Sequence, residues 1–366
     1  MMQERVEQVR TLMGAWELDG VLLRKRRSFA WLTGGRTNHI VNTSEHGVCD
    51  LLVLPDRVVC IVTQMEAARI RDEELAEMSI EWVVSEWYEG HAASIAKLCT
   101  GKSIGTDVEP ESVEGLRDGV NLSSSLAELT YVLSEPQIDA YRWLAQRAAR
   151  AVESLCQEIE PGMTEYEIQA RLAAKVIKDG INPQVILIAT DERIYNYRHP
   201  IPTGKVLRSY AMVVLCAERY GLVANVTRFV HFGALDRELE ENRLKLAEID
   251  LTMNLATSPG TPIRDIFFRG IEAYRAAGHG EDWRYLHQGG PTGYASREFL
   301  ATPDCTGIVQ VNQAFAWNPA IRGIKSEDTL LVRAEGNEFL THTGAWKYIM
   351  MERQGQPYKR PDILVR

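Results

Sequence analysis

The sequence predicts a mixed α/β (α+β) fold in two domains, and three observations predict it. At 366 residues the chain exceeds the size at which one hydrophobic core usually stops growing, so two domains are expected. Short apolar runs alternate with helical stretches through residues 1–131. From Glu135 the order becomes two long helices followed by strands, and the pattern of 137–233 recurs loosely in 237–333. The domains are therefore placed at 1–131 and 132–366.

Residues 3–18 carry helical periodicity, and DGVLL, VCDLLVLP and RVVCIVT then read as strands separated by turn residues. The run Arg24-Lys25-Arg26-Arg27 reads as a solvated strand end, and FAWLTG after it reads as strand-like. QMEAARIRDEELAEM at 64–78 serves as a helical crossover to the strand-like IEWVV and then KSIGTD. In the second domain Ser134 is an N-cap, with Pro136 in the first turn of a helix running to Glu158. Thr164 with Glu167 three residues on forms a capping box, and Gly180 stops that helix. QVILIAT, YAMVVLCAE and GLVANVTRFVHFG follow as strands, then a helical pair near 237–256 and 261–278, then AFAWNPAI, SEDTLLVRA and GNEFLTH as strands.

Composition narrows the function. A formal net charge of -9 argues against a general nucleic-acid or anionic-membrane surface, since both need clustered Lys and Arg. No apolar run is long enough to cross a bilayer, and MMQERVEQVR is a charged helix start, not a signal peptide, so a cytoplasmic location is expected. Six scattered cysteines without a CxxC pair indicate neither a disulfide frame nor a thiolate zinc site.

EIEPGMTEYEIQARLAAKVIKDG, RHPIPTGKVLRSYAMVVL, VTRFVHFG, HQGGPTGY and NPAIRGIKSEDTLLV together resemble, in order and spacing, the catalytic domain of the aminopeptidase P, prolidase and creatinase family. The resemblance covers about 135–345, and DGVLLRKRRSFAWLTG is similar to the family's smaller N-terminal domain. It implies a creatinase-type α/β domain followed by a pita-bread catalytic domain, a homodimer, and a cleft that in the peptidases holds two metal ions on two aspartates, a histidine and two glutamates. The loop RTNHIVNTSEH at 36–46 is expected to approach the partner's cleft.

That ligand set is largely missing. The second aspartate falls on Asn225; the first falls on Cys216 counting forward from the upstream histidine, or on Val214 counting back from Thr227-Arg228. The ligand histidine falls on Pro291, the glutamate before proline on Asn318, and only Glu327 survives. An amide oxygen is a weak, uncharged ligand and proline offers none, so no metal and no other cofactor is expected.

Creatinase hydrolyses a C–N bond on the same frame without metal, and its catalytic histidine matches His199. One of its glutamates matches Glu327, while another falls on Thr227. An imidazole titrates near neutrality and can move a proton both ways, which C–N hydrolysis requires. His199 and Glu327 are thus the catalytic candidates. Asn225, Thr227, Arg228, His287, Asn318, Arg322 and Lys325 are the substrate-binding candidates, with Asn225, Thr227, Asn318 and Tyr294 making the old metal cavity polar and nearly neutral. Arg228 also reads as a charge brace, Gly289, Gly290 and Gly293 as turns in the cleft wall, and Cys216 as a buried small residue in preference to a nucleophile. The expected activity is a metal-independent hydrolase of a small substrate or short peptide. The alternatives are an Xaa-Pro aminopeptidase-like metallopeptidase with altered ligands, and a non-catalytic binding protein.

Overall fold

A computed structural model describes residues 2–366. The chain divides between Thr130 and Tyr131 into two compact units.

The first unit comprises α1 (Met2–Ala15), β1 (Gly20–Lys25), α2 (Arg26–Thr33), β2 (His46–Val53), β3 (Val58–Thr63), α3 (Gln64–Arg69), β4 (Glu81–Ser85), α4 (Ala92–Cys99), β5 (Ile104–Thr106), β6 (Gly119–Asn121) and α5 (Ser123–Glu128). Its six strands form one sheet in the order β4-β3-β2-β1-β5-β6. Leu22, Leu52, Val59, Ile61, Ile95 and Ile104 build its core.

Two readings of this unit change. Phe29–Thr33 is helical, not a strand, and Gly34 ends the helix in the left-handed region with φ 81°. Ser28 to Thr33 are all buried, and a short run buried on every side has no periodicity to separate helix from strand. The basic run straddles the end of β1 and the start of α2, and it is not simply solvated: Arg24 Nε lies 3.2 Å from Asp50 Oδ1, whose side chain is buried.

The second unit opens with α6 (Glu135–Glu158) and α7 (Glu165–Ile177). Both start at reciprocal capping boxes, Ser134 with Gln137 and Thr164 with Glu167, which satisfy otherwise unpaired first-turn N–H groups. There follow β7 (Asn182–Thr190), α8 (Glu192–Asn196), β8 (Tyr210–Arg219), β9 (Leu222–His231), α9 (Arg237–Ala256) and α10 (Ile263–Ala276). The chain closes with β10 (Gly289–Thr292), β11 (Ala314–Trp317), β12 (Ala320–Ile321), β13 (Ile324–Lys325), β14 (Asp328–Arg333), β15 (Gly336–Phe339), β16 (Tyr348–Arg353), β17 (Gln356–Pro361) and β18 (Leu364–Val365).

Two four-stranded sheets carry this unit, β18-β9-β8-β7 and β10-β11-β14-β15. Helices α6 and α7 pack on the first sheet. A core of Met212, Phe229, Leu246, Ile249 and Tyr274 joins its other face to α9 and α10, while Met253, Phe267, Phe315 and Trp317 belong to a second core on β11. The sheets meet along β9. Asn225 N donates to Thr329 Oγ1 at 2.8 Å, Thr227 N to the Glu327 carbonyl at 3.1 Å and Val223 N to the Gly293 carbonyl at 2.8 Å.

The β8–β9 hairpin turns on Tyr220 and Gly221, both at positive φ (58° and 76°), the pattern of a two-residue turn matched to strand twist. It pairs Arg219 with Leu222 and therefore Cys216 with Asn225 and Val214 with Thr227.

Gly289 and Gly290, expected in turns, instead open β10, where Gly289 pairs with Trp317. A Cβ on Gly289 would lie 2.2 Å from the Ala316 carbonyl oxygen, and its φ is 98°. The close approach of two backbones and the positive φ both require glycine there. Gly289→Ala is expected to destabilise the protein by about 1–3 kcal/mol, read as a lower denaturation midpoint with an unchanged m-value.

Candidate active site

A cavity of about 290 Å³ opens in the second unit. Alternation along paired strands puts Val185 opposite Cys216 and Leu187 opposite Val214, and all four line one wall. His199, from the segment after α8, and His287, just before β10, line it as well, their ring centroids 5.9 Å apart. Ser296, Arg297, Lys325 and Glu327 complete the lining.

Glu327 is the anchor of this wall. Its Oε1 accepts from Arg297 Nη2 at 2.8 Å, and its Oε2 from Lys325 Nζ at 2.9 Å and Thr227 Oγ1 at 2.8 Å. Burial alone would raise its pKa, yet the charges and hydrogen bonds of Lys325 and Arg297 outweigh that and hold it at about 2. Burial, the Arg297 charge and the neighbouring His199 bring His287 down to about 4, and its Nδ1 has no partner. His199, exposed at the rim, is lowered below 6.5 first by partial desolvation and then by Lys325, against the opposing pull of Glu327. Both imidazoles are thus neutral at pH 7. The Cys216 thiol is pushed up to about 12, by burial and then by Glu327, so it stays protonated and is a poor nucleophile.

Several sequence-derived residues lie elsewhere. Asn225, Thr227 and Asn318 are buried but do not line the cavity. Asn225 Nδ2 donates to Thr292 Oγ1 at 3.0 Å, Thr227 is occupied by Glu327, and the Oδ1 atoms of Asn225 and Asn318 have no donor. Nor does Tyr294 line it, for its hydroxyl accepts from Gln137 at 2.8 Å. The wall is consequently more apolar than expected, and it is charged. Arg228 cannot bind substrate there, because β9 alternation turns it to the face opposite Thr227. It is fully buried, with Nε 3.4 Å from Glu153 on α6 and Nη2 3.0 Å from Asp328, which is the brace role. Arg322 is exposed at the β12–β13 turn and absent from the lining. The side chain that sequence reasoning missed is Arg297. Its one signal was a basic residue following the Gly-rich segment, and nothing local separates a buried arginine from a solvated one.

The positions that hold metal in the related peptidases suit no two-ion centre here. Val214 and Cys216 both line the cavity, and neither is a carboxylate. The next three positions are two amides, Asn225 and Asn318, and a proline, Pro291. Glu327 has both oxygens engaged by cations. Among the described residues no three His, Cys, Asp or Glu side chains are grouped so as to hold a metal ion. Hard divalent ions need several oxygen ligands, mostly carboxylates, and this donor set does not supply them.

Glu327→Gln leaves Arg297 and Lys325 without their anion and is expected to cost about 3–5 kcal/mol in denaturant unfolding at neutral pH. The native pKa of about 2 lies below the ordinary carboxylate value. The contribution is therefore complete above about pH 4.3, and the gap between wild type and variant should close as pH falls toward 2.

Residues 139–334 match the model of metallopeptidase family M24, and residues 5–142 that of the creatinase/prolidase N-terminal domain. An uncharacterized peptidase of Staphylococcus aureus is 24% identical over 246 residues, which are 62% of this chain and 69% of that protein. Among solved structures, the prolidase of Pyrococcus horikoshii OT3 superposes with a TM-score of 0.80 at 17% identity, covering 93% of this chain and 98% of that one. An Xaa-Pro dipeptidase from Bacillus anthracis gives 0.80 at 18% over all of both chains. The N-terminal domain of a FACT complex subunit from Cicer arietinum gives 0.69 at 11%, covering 94% and 95%. These structural likenesses establish the fold: a creatinase-type N-terminal domain followed by a pita-bread catalytic domain. With more than half of its length matched by one family model, the chain belongs to metallopeptidase family M24.

Proposed function

We propose that this protein is a hydrolase that cleaves a C–N bond in a small substrate, using His199 for proton transfer and no bound metal pair. The observation that carries the reading is the engagement of Glu327 by Arg297, Lys325 and Thr227. Organic cations occupy the one retained carboxylate, in a cavity that also presents His199.

A neutral imidazole is the competent form of a general base. His199 would take a proton from water as the water oxygen attacks the electrophilic carbon. It would then return the proton to the nitrogen as the C–N bond breaks, so protons and electron pairs balance without a cofactor. Glu327 would act through the two cations it holds in place, a positioning role. A homodimer, and a cytoplasmic location, belong to the same reading; among the described residues no helix is long and apolar enough to cross a membrane.

A non-catalytic binding role has one observation in its favour: the pita-bread frame also serves in the FACT complex subunit. A screen of small amides, amidines and Xaa-Pro dipeptides separates the two readings. On any substrate found, His199→Ala is expected to lower kcat by a factor of about 100 to 10,000. Because the His199 pKa is lowered, the acid limb of kcat/KM should lie below pH 6.5 and disappear in the variant. Undiminished turnover in His199→Ala excludes the assigned mechanism, and no turnover on any substrate favours binding.

Elemental analysis of the dialysed protein should find less than one equivalent of Mn, Co, Zn or Fe per chain, with turnover unaffected by a chelator. Two equivalents, with chelator-sensitive turnover, would establish a metallopeptidase with rebuilt ligands.

A further inference from the structure

The six-stranded sheet of the first unit has two edges, and they differ. Strand β6 has three residues, while β4 has five and pairs with β3 in unbroken register from Val59–Glu81 to Thr63–Ser85. Among the described residues no backbone group outside β3 bonds to the backbone of Glu81–Ser85. Successive residues of a strand turn their N–H and carbonyl to opposite sides, so every second residue of β4 offers both outward. Exposed edges are ordinarily blunted by a charge, a proline or a bulge. The middle of β4, Trp82-Val83-Val84, has none of these, and Val84 is 38% exposed.

Two further features surround this edge. Trp87 and Tyr88, just beyond the strand, are 67% and 68% exposed and meet edge to face with ring centroids 5.7 Å apart. Their loop is held at both ends: Ser85 Oγ donates to the Gly90 carbonyl at 2.6 Å, and His91 Nδ1 lies 2.7 Å from Asp50 Oδ2. Exposed aromatic rings on a fixed loop bind at low entropic cost. The second feature is charge. Residues 72–90 contain seven acids and no Lys, Arg or His. Arg69 reaches Glu74 and Arg57 reaches Glu81. Asp72, Glu73, Glu77, Glu86 and Glu89 are exposed and take no ion pair among the described residues.

We propose that the free edge of β4 is a docking site for an extended, Lys- or Arg-rich segment of another protein, which adds as a strand beside Glu81–Ser85 and meets Trp87 and Tyr88. Backbone hydrogen bonds supply the register, the carboxylates attract the cationic side chains, and the two rings accept them through their faces. A second copy of the chain fits this edge poorly, because it would set the same acids against one another. A nucleic acid is repelled by them. The surface belongs to the first unit, so this inference stands apart from the hydrolase reading.

The test uses the full chain and three blocked heptapeptides in about 100 mM NaCl: Lys-Val-Lys-Val-Lys-Val-Lys, its analogue with Glu for Lys, and Lys-Val-Lys-Pro-Lys-Val-Lys, which keeps the charge but breaks the strand. The first is expected to bind at least about tenfold more tightly than either of the others. It should slow amide hydrogen exchange across residues 81–85, and should lose at least about tenfold in affinity on the Glu86→Lys/Glu89→Lys double variant, whose changes are at exposed positions. No binding of the first peptide up to about 1 mM overturns the proposal. Equal affinity for the proline-broken peptide overturns it in favour of charge alone. Unchanged affinity in the double variant, or slowed exchange only outside residues 81–85, also overturns it. Protection of 81–85 that grows with protein concentration in the absence of peptide assigns the edge to a second copy and overturns it too.

Discussion

The second unit is organised around one buried carboxylate. Glu327 lies where β14 begins beside β9, with its main-chain carbonyl accepting from Thr227 N and its side chain engaging Thr227 Oγ1, Lys325 Nζ and Arg297 Nη2. A lone carboxylate there would be driven toward its neutral form by desolvation. The two cations reverse that, and the carboxylate in turn lets two cations stand side by side in an enclosed space. Each member is tolerable only because the others are present. Strand register, cavity shape and electrostatics therefore meet at a single side chain.

Strand alternation then separates two electrostatic systems that are adjacent in sequence. Glu327 lines the cavity with Thr227 behind it donating to its carboxylate, while Asp328 and Arg228 meet on the opposite faces of the same strands. On that second side Arg228, Glu153, Asp328 and His342 form a buried network, in which Arg228 and His342 hold the Asp328 carboxyl far below the usual range against its burial. The brace fixes the same two strands that carry the cavity residues. Rigid placement of the cavity groups thus comes from charges that no substrate touches.

The cavity also differs in kind from a divalent metal centre. Metal sites concentrate negative ligands around a cation; here the cations belong to the chain and the negative partner is single. Replacing Asp, His and Glu by Cys216 or Val214, Asn225, Pro291 and Asn318 removes charge that would otherwise demand a counter-ion. Beside these uncharged side chains, Arg297 and Lys325 both sit on Glu327, two cations on one anion.

Much of the architecture was legible in the sequence because local chemistry specified it. The capping boxes at Ser134 and Thr164, the β8–β9 hairpin and the helical pair after it are short-range patterns, and the structure reproduces them. Legibility failed for Phe29–Thr33, where uniform burial erased the helical period, and for Gly289–Gly290, where glycine answers to a neighbouring strand and not to a turn. The turn at Tyr220 and Gly221 places Cys216 opposite Asn225 and Val214 opposite Thr227, and both side chains line the cavity. Sequence alone determined which residues stand at the positions matched to the family's motifs, His199, Asn225, Pro291, Asn318 and Glu327, because residue identity needs no coordinates. Only the tertiary structure decided that Arg297 joins Lys325 on Glu327, that Arg228 and Arg322 lie outside the cavity, and that Asn225, Thr227 and Asn318 lie outside its lining. The pairing of side chains 30 residues apart, and the face each one takes, are set by long-range strand packing that no local pattern encodes.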